Sequence, residues 1–207
     1  MYNKKDVCVV ILTGGLSKRI GGGNKSLIEF NNKIIFDRIY NNIKKQTKKI
    51  IINNNKEKKF FNNYNEIIVS DDLKGFLGPL SGIHSAMKWI KYKEIKFEWL
   101  VSIPGDTPFI PNNLVKKLLE KAISENCKIV LAKSFGKHHP VIGIWNLSLY
   151  DDLEKSLKGG VRKILHWASK HTLSYENFDN PNYDPFFNVN YKEDILKAEE
   201  IENKYFK

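Results

Sequence analysis

The chain has 207 residues, 42% of them apolar and 12% aromatic, and a formal net charge of +11. This is enough apolar material for one sizeable core, and no run reaches the roughly 18 apolar residues of a membrane-spanning helix, so a single domain over 1–207 with no membrane partner is expected. The charge would suit nucleic acid, but the lysines are mixed with acids and only three arginines (Arg19, Arg38, Arg162) are present, so a small polyanionic substrate is the better expectation.

The first residues, MYNKKDVCVVIL, lack the apolar core and small-residue cleavage site of a signal peptide. Two cysteines, Cys8 and Cys127, lie in apolar strand-like runs and read as buried free thiols of a reducing cytoplasm. Val7 to Leu12 is apolar throughout and reads as a buried strand. Turn chemistry follows at once: Thr13, Gly14 and Gly15, then Gly21 to Gly23. Strand, glycine loop and basic residues are how a backbone comes close to a phosphate, because glycine has no Cβ and successive N–H groups can cup an anion. Lys18, Arg19 and Lys25 add charge. A Walker A loop needs Gly-Lys-Ser/Thr at its end, but Lys25 follows Asn24; G-x-G-x-x-G fits at neither Gly14 nor Gly21.

Further along, Leu27 to Phe36 predicts a small hairpin-like element leading into a helix to about Gln46, with Ile35, Ile39 and Ile43 on one face. Lys49 to Asn53 reads as a strand, Phe60-Phe61 as part of a short polar helix, and Glu66 to Ser70 as a strand. Asp71 to Pro79 is a loop, and Gly78-Pro79 opens a helix over Ser81 to Lys91. Phe97 to Ile103 is a strand ending in Pro104-Gly105-Asp106-Thr107-Pro108. Asn112 to Ser124 is a helix, Cys127 to Ala132 and Val141 to Trp145 are strands, and Ser148 to Leu157 and Val161 to Lys170 are helices split at Gly159-Gly160. Thr172 to Phe178 is a weaker strand, and a last helix begins near Lys192. This alternation predicts a three-layer α/β/α sandwich around a mostly parallel, Rossmann-like sheet, with ligands beyond the carboxyl ends of the strands.

Asp106 at a strand's end is a candidate Mg²⁺ ligand, since Mg²⁺ is held by one or two carboxylates plus substrate phosphates. The competing reading is a cap for the next helix, but Asp106 lies several residues ahead of its start. Arg19 and Lys25 would neutralise phosphate oxygens as charge builds in a transition state. Asn53 and Asp71 are candidate base or ribose readers, or simply turn residues; Asn54 and Asp72 are adjacent rivals. Gly78 and Gly82 flank a helix start whose free N–H groups suit anions or base edges. His139, before Pro140, reads as structural.

The loop G-G-x-x-x-R-x-G-G-x-x-K closely resembles the signature L-A-G-G-x-x-x-R-M-G-G-x-D-K of the molybdenum cofactor guanylyltransferases, within the nucleotidyltransferase superfamily. Leu12, Gly14, Gly15, Arg19, Gly21, Gly22 and Lys25 match in register; Thr13, Ile20 and Asn24 depart from it. Pro104, Asp106, Thr107, Pro108, Phe109 and Pro111 resemble the family's P-x-D-T-P-F/Y-x-P, which implies that Asp106 holds the Mg²⁺. Asn53, Asp71 and Gly78-Pro79-Leu80-Ser81-Gly82 align with further family segments, as do His139-Pro140, Gly160-Val161-Arg162-Lys163 and Asn188-Val189-Asn190. The resemblance implies that Arg162 faces the pterin phosphate and that Asn188 and Asn190 meet the metal or substrate phosphate.

The fold implied is of the nucleotide-diphospho-sugar transferase type. The activity implied is transfer of GMP from GTP to molybdenum-molybdopterin with loss of pyrophosphate. Arg19, Lys25 and Asp106 would be catalytic, and the nucleotide would lie over Leu12, Thr13, Gly14, Gly15 and Gly22. A cytidylyl enzyme on the same pterin and a sugar-phosphate nucleotidyltransferase are the alternatives within the class; an RNA-binding protein is the alternative outside it. Molybdenum insertion enzymes or molybdoenzyme chaperones are the further partners to consider, and a monomer is expected over an oligomer.

Overall fold

The computed structural model describes residues 7–14, 24–73, 78–93 and 96–206. Gly15, Lys18, Arg19 and Gly21 to Gly23 fall outside the described residues. The strands are β1 (Val7–Leu12), β2 (Glu29–Phe30), β3 (Lys33–Ile34), β4 (Lys49–Asn53), β5 (Ile67–Val69), β6 (Trp99–Pro104), β7 (Ile129–Ser134), β8 (Lys137–Asn146) and β9 (Leu173–Asn177). The α-helices are α1 (Ile35–Ile43), α2 (Lys58–Phe61), α3 (Pro79–Tyr92), α4 (Leu114–Ser124), α5 (Tyr150–Lys158), α6 (Ile164–Ala168) and α7 (Lys192–Tyr205).

Seven strands form one sheet in the order β5-β4-β1-β6-β8-β7-β9, and β2 and β3 pair separately. β1 lies parallel to both β4 and β6, β4 to β5, and β7 to β9. β8 runs antiparallel to both of its neighbours. The reversal is made by the two-residue turn Phe135-Gly136, both at positive φ (47° and 75°), the backbone that matches the twist of a tight hairpin.

Side chains alternate across a strand, and β1 shows what that does here. Val7, Val9 and Ile11 pack with Ile35, Phe36 and Ile39 of α1, Leu114 and Leu118 of α4 and Ala198 of α7. Cys8 and Val10 pack on the other face with Leu80 and Ile83 of α3, Leu153 of α5 and Trp167 of α6. The three layers are therefore α1/α4/α7, sheet, and α3/α5/α6. Burial on both faces explains why β1 and β4 read as unbroken apolar runs rather than alternating ones. Cys8 is buried as expected, whereas Cys127 precedes β7 and is only half-buried; both are free. Among the described residues no helix is long and apolar enough to cross a membrane.

β8 begins four residues earlier than its apolar run suggested. Its pairing with β7 jumps from Leu131↔Gly143 to Ala132↔His139, so Pro140, Val141 and Ile142 have no opposite number on β7. Proline cannot donate to a ladder and is tolerated at such a bulge. The strand continues past it to Lys137, which a reading stopped by Pro140 could not follow.

Candidate functional site

A cavity of about 680 Å³ opens along the carboxyl edge of the sheet. Its floor is the ends of β4, β1 and β6. Leu12, Thr13 and Gly14 continue β1; Asn53 ends β4; Pro104, Gly105 and Asp106 continue β6; all seven line it. The end of β1 is clamped from both sides. Thr13 N donates to Asn53 O at 3.0 Å, and Gly105 N donates to Leu12 O at 2.9 Å. A Cβ on Gly105 would lie 3.0 Å from Ser26 Cβ and 3.1 Å from Leu12 O, so glycine is what lets the two strand ends approach.

On the β4 side stands Asp71, with Oδ1 accepting from Asn53 Nδ2 at 3.0 Å and Oδ2 from Asn55 Nδ2 at 3.1 Å. Asn55 Oδ1 in turn accepts from the Asp71 backbone N–H at 2.8 Å. Asn53, Asn55 and Asp71 all line the cavity. Their neighbours are committed elsewhere. Asn54 is buried; its Nδ2 donates to Thr13 Oγ1, and its Oδ1 accepts from the backbone of Lys56 and Glu57. Asp72 faces His84 and Lys88. This separates Asn53 and Asp71 from the rivals that adjacency alone could not exclude. Gly82 supports them from α3: a Cβ there would lie 2.5 Å from Asn53 Oδ1 and 2.7 Å from Leu12 Cδ2. Gly78, which caps α3 at φ 68°, also lines the wall.

At the centre are Lys25 and Asp106. Lys25 opens a short 3₁₀ turn over Lys25–Leu27, capped by Asn24, whose Oδ1 accepts from Ser26 N at 3.0 Å. The Asn24 amide nitrogen donates to Glu57 Oε2 at 2.6 Å. The Lys25 ammonium lies 3.6 Å from Asp106 Oδ2 and donates to Asn190 Oδ1. Asn188 Nδ2 lies 3.4 Å from Asp106 Oδ1, and Val189 N donates to Asp106 O at 3.0 Å. Both asparagines of the 188–190 segment thus meet the Lys25–Asp106 pair, as their spacing of two on extended backbone allows. Burial pushes the Asp106 carboxyl above the usual carboxylate range, against the opposing pull of Lys25. A half-buried carboxylate of this kind favours a cation beside it.

Among the described residues no group of three or more His, Cys, Asp or Glu could hold a metal. Asp106 offers a single carboxylate, with the Asn188 amide nitrogen turned to it and Asn190 Oδ1 taken by Lys25, so a hard cation there would complete its shell with water and substrate phosphate.

Arg162 is not brought to this cavity. It is exposed, and its Nη1 donates to Leu157 O at 2.9 Å and Val161 O at 2.8 Å beyond the end of α5. Sequence reasoning missed Asn55, hidden in a run of three asparagines, and His138; it picked out His139-Pro140 and the strand from Val141 but not that this segment forms a wall of the cavity.

A parallel-sheet edge with a lysine–aspartate pair at its centre and amide and carboxylate side chains to one side suits a nucleotidyltransferase. Comparison with known proteins narrows this. The chain belongs to the MobA-like NTP transferase domain family, which matches it over residues 9–173. It is 35% identical over 193 residues to the molybdenum cofactor guanylyltransferase of Nitrobacter hamburgensis, covering 93% of this chain and 92% of that one. It is 33% identical over the same length, with the same coverage, to that of Rhodopseudomonas palustris BisB5. Its fold matches the crystal structure of molybdopterin-guanine dinucleotide biosynthesis protein A from Archaeoglobus fulgidus with a TM-score of 0.78 and 24% identity, over 95% of this chain and 99% of that one.

Proposed function

We propose that the chain, acting as one nucleotidyltransferase domain, transfers GMP from GTP to molybdenum-molybdopterin, forming the guanine dinucleotide cofactor and pyrophosphate. The observation that carries this is the order of groups along the cavity in a member of this family: Asp71 braced by Asn53 and Asn55 at one side, then the Lys25–Asp106 pair. Guanine presents N1–H and N2–H₂ as adjacent donors, and a braced carboxylate with free lone pairs is an acceptor for both. The triphosphate would then lie over Thr13 and Gly14 and the loop carrying Gly15, Arg19 and Gly22.

Lys25 faces the oxygens that gain charge as the acceptor phosphate displaces pyrophosphate, and its fixed ammonium stabilises that charge. A nucleotidyltransferase reaction generally calls for a metal, and here we infer Mg²⁺ held by Asp106 with Asn188 and Asn190 beside it. Mg²⁺, when bound, supplies positive charge to the phosphate oxygens. A phosphate nucleophile is already anionic and needs no general base, so the work of the protein is positioning. Cytoplasmic location, a monomer, and exchange with molybdenum insertion enzymes or molybdoenzyme chaperones complete the reading.

Calorimetry with Mg²⁺ and GTP, CTP, ATP or UTP at one salt concentration tests it. Preference for GTP is expected, with guanylyl transfer to the pterin as the confirming assay. Preference for CTP would move the activity to a cytidylyl enzyme on the same scaffold.

A further inference from the structure

The roles above leave one wall of the cavity unused, the start of β8 on the far side of Asp106 from Asp71. Strand order puts it there: β4, β1, β6 and β8 are successive neighbours. Pro140, Val141 and Ile142 at the bulge line the cavity, and Ser102 Oγ holds the bulge by donating to Val141 O at 2.6 Å while accepting from Trp145 Nε1 at 2.9 Å. His139 lines the same wall, its ring 4.8 Å from that of Phe186.

The hydrogen bonds around His139 have only one consistent direction. Ser134 Oγ lies 2.7 Å from His139 Nε2 and 2.9 Å from Asp184 Oδ1. Asp184 Oδ1 also accepts from Phe186 N at 3.0 Å. A carboxylate only accepts, so the single Ser134 proton goes to Asp184. Ser134 Oγ must then accept from His139, which places the imidazole proton on Nε2. Burial holds the His139 ring below its ordinary protonation range, so Nδ1 keeps a lone pair. Among the described residues nothing is bonded to Nδ1.

We propose that His139, fixed as its Nε2–H tautomer by Ser134 and Asp184, reads the acceptor substrate by offering Nδ1 to one of its N–H donors. This deepens the guanylyl-transfer reading and rests on it. The acceptor's phosphate must reach the Lys25–Asp106 centre, and the nucleotide base takes the β4 side, so the rest of the acceptor extends along β8. A lone pair facing an anionic oxygen is repulsive, so His139 meets the nitrogen heterocycle rather than the phosphate. Ser134 and Asp184 are positioning residues acting through it.

The test uses the full chain with two readouts. ¹⁵N NMR of histidine-labelled protein is expected to show His139 as the Nε2–H tautomer; the Nδ1–H tautomer would overturn the assignment. In guanylyl transfer, His139→Leu is expected to raise the KM for the molybdopterin acceptor about five- to tenfold, the effect of one hydrogen bond, with little change in the KM for GTP. His139→Asn, which keeps an acceptor near the Nδ1 position, should recover part of the loss, and Ser134→Ala should fall between. An unchanged acceptor KM in His139→Leu, or an equal loss of GTP binding by calorimetry, would reduce the residue to a structural one. Absence of transfer in the unsubstituted chain would fall on the proposed function instead, and the NMR readout would still decide the tautomer.

Discussion

The Lys25 ammonium stands 3.6 Å from Asp106 Oδ2 although 81 residues separate the two in the chain (106 − 25). The pair is asymmetric in consequence. Burial raises the Asp106 carboxyl above its ordinary range despite Lys25, so its ionised form costs the folded state stability at neutral pH, and that cost disappears as pH falls through its folded pKa. Asp106→Asn is therefore expected to keep or raise Tm while lowering the rate of GMP transfer by at least about a hundredfold. A melting curve and a single-turnover assay on the same preparation decide it. Normal Mg²⁺-dependent activity would remove Asp106 from the metal site.

Lys25→Ala should behave in the opposite sense for stability. It leaves the half-buried Asp106 without its cation, at a cost of about 1 kcal/mol for this partly exposed pair, and it also removes charge from the phosphate site. The double variant Lys25→Ala/Asp106→Asn should regain the stability and not the activity. Equal Tm values for all four proteins would mean that the pair carries no coupling.

Gly82 is the support on which Asn53 rests. A methyl group placed 2.5 Å from Asn53 Oδ1 forces that amide to move and loosens Asp71, whose Oδ1 it holds. Gly82→Ala should lose roughly 1–3 kcal/mol of stability and weaken GTP binding, with any preference among nucleotides reduced. Wild-type affinity and selectivity in calorimetry would show that Asn53 and Asp71 do not read the base.

Asn24 stands where the resembled family loop carries Asp, and Glu57 supplies a reason. The Asn24 amide donates to Glu57 Oε2 at 2.6 Å; an aspartate would put two carboxylates there. Asn24→Asp is expected to destabilise by about 1 kcal/mol at neutral pH, less in acid, where one carboxyl takes a proton. Glu57→Gln in the same chain should restore the loss, and a double-mutant cycle on Tm measures it.

His84 predicts the acid limb of stability. It is buried on α3 with Nδ1 3.2 Å from Asp72 and Nε2 3.6 Å from Glu154, and neither nitrogen is aligned for a hydrogen bond. Burial lowers its pKa, with Asp72 and Glu154 pulling the other way and Lys88 reinforcing it. The unfolded chain then binds the proton more readily, so stability is full above the unfolded value of about 6.5 and declines below it. Tm measured from pH 8 to pH 5 should fall on the acid side, and His84→Gln should make the fall shallower. An identical slope in the variant would assign the decline to other groups.

Much of the fold was legible because its signals are local. β1 and β4 match the strands expected from their apolar runs to the residue, and α1, α3 and α4 were found from their helical periodicity and breakers. The errors are at ends and at β8, where Pro140 marks a bulge instead of a boundary. In the site, the glycine turn after β1 and the Pro-Gly-Asp-Thr-Pro turn after β6 were visible as turn chemistry at strand ends, so Lys25 and Asp106 could be named. Arg162 could be named only by resemblance, and the structure turns it onto the carbonyls of Leu157 and Val161.

The amino-acid order alone determined the alternation of strands and helices, the buried sheet and the polar residues at its carboxyl edge, because period, turn preference and burial act over a few neighbours. It could not say which of three consecutive asparagines faces the cavity, that Lys25 meets Asn190 across 165 residues, or which ring nitrogen of His139 carries the proton. Those were decided by strand order, the bulge in β8 and the return of 188–190 over Asp106. Each is a pairing of distant groups, and such pairings exist only once the sheet has brought them together.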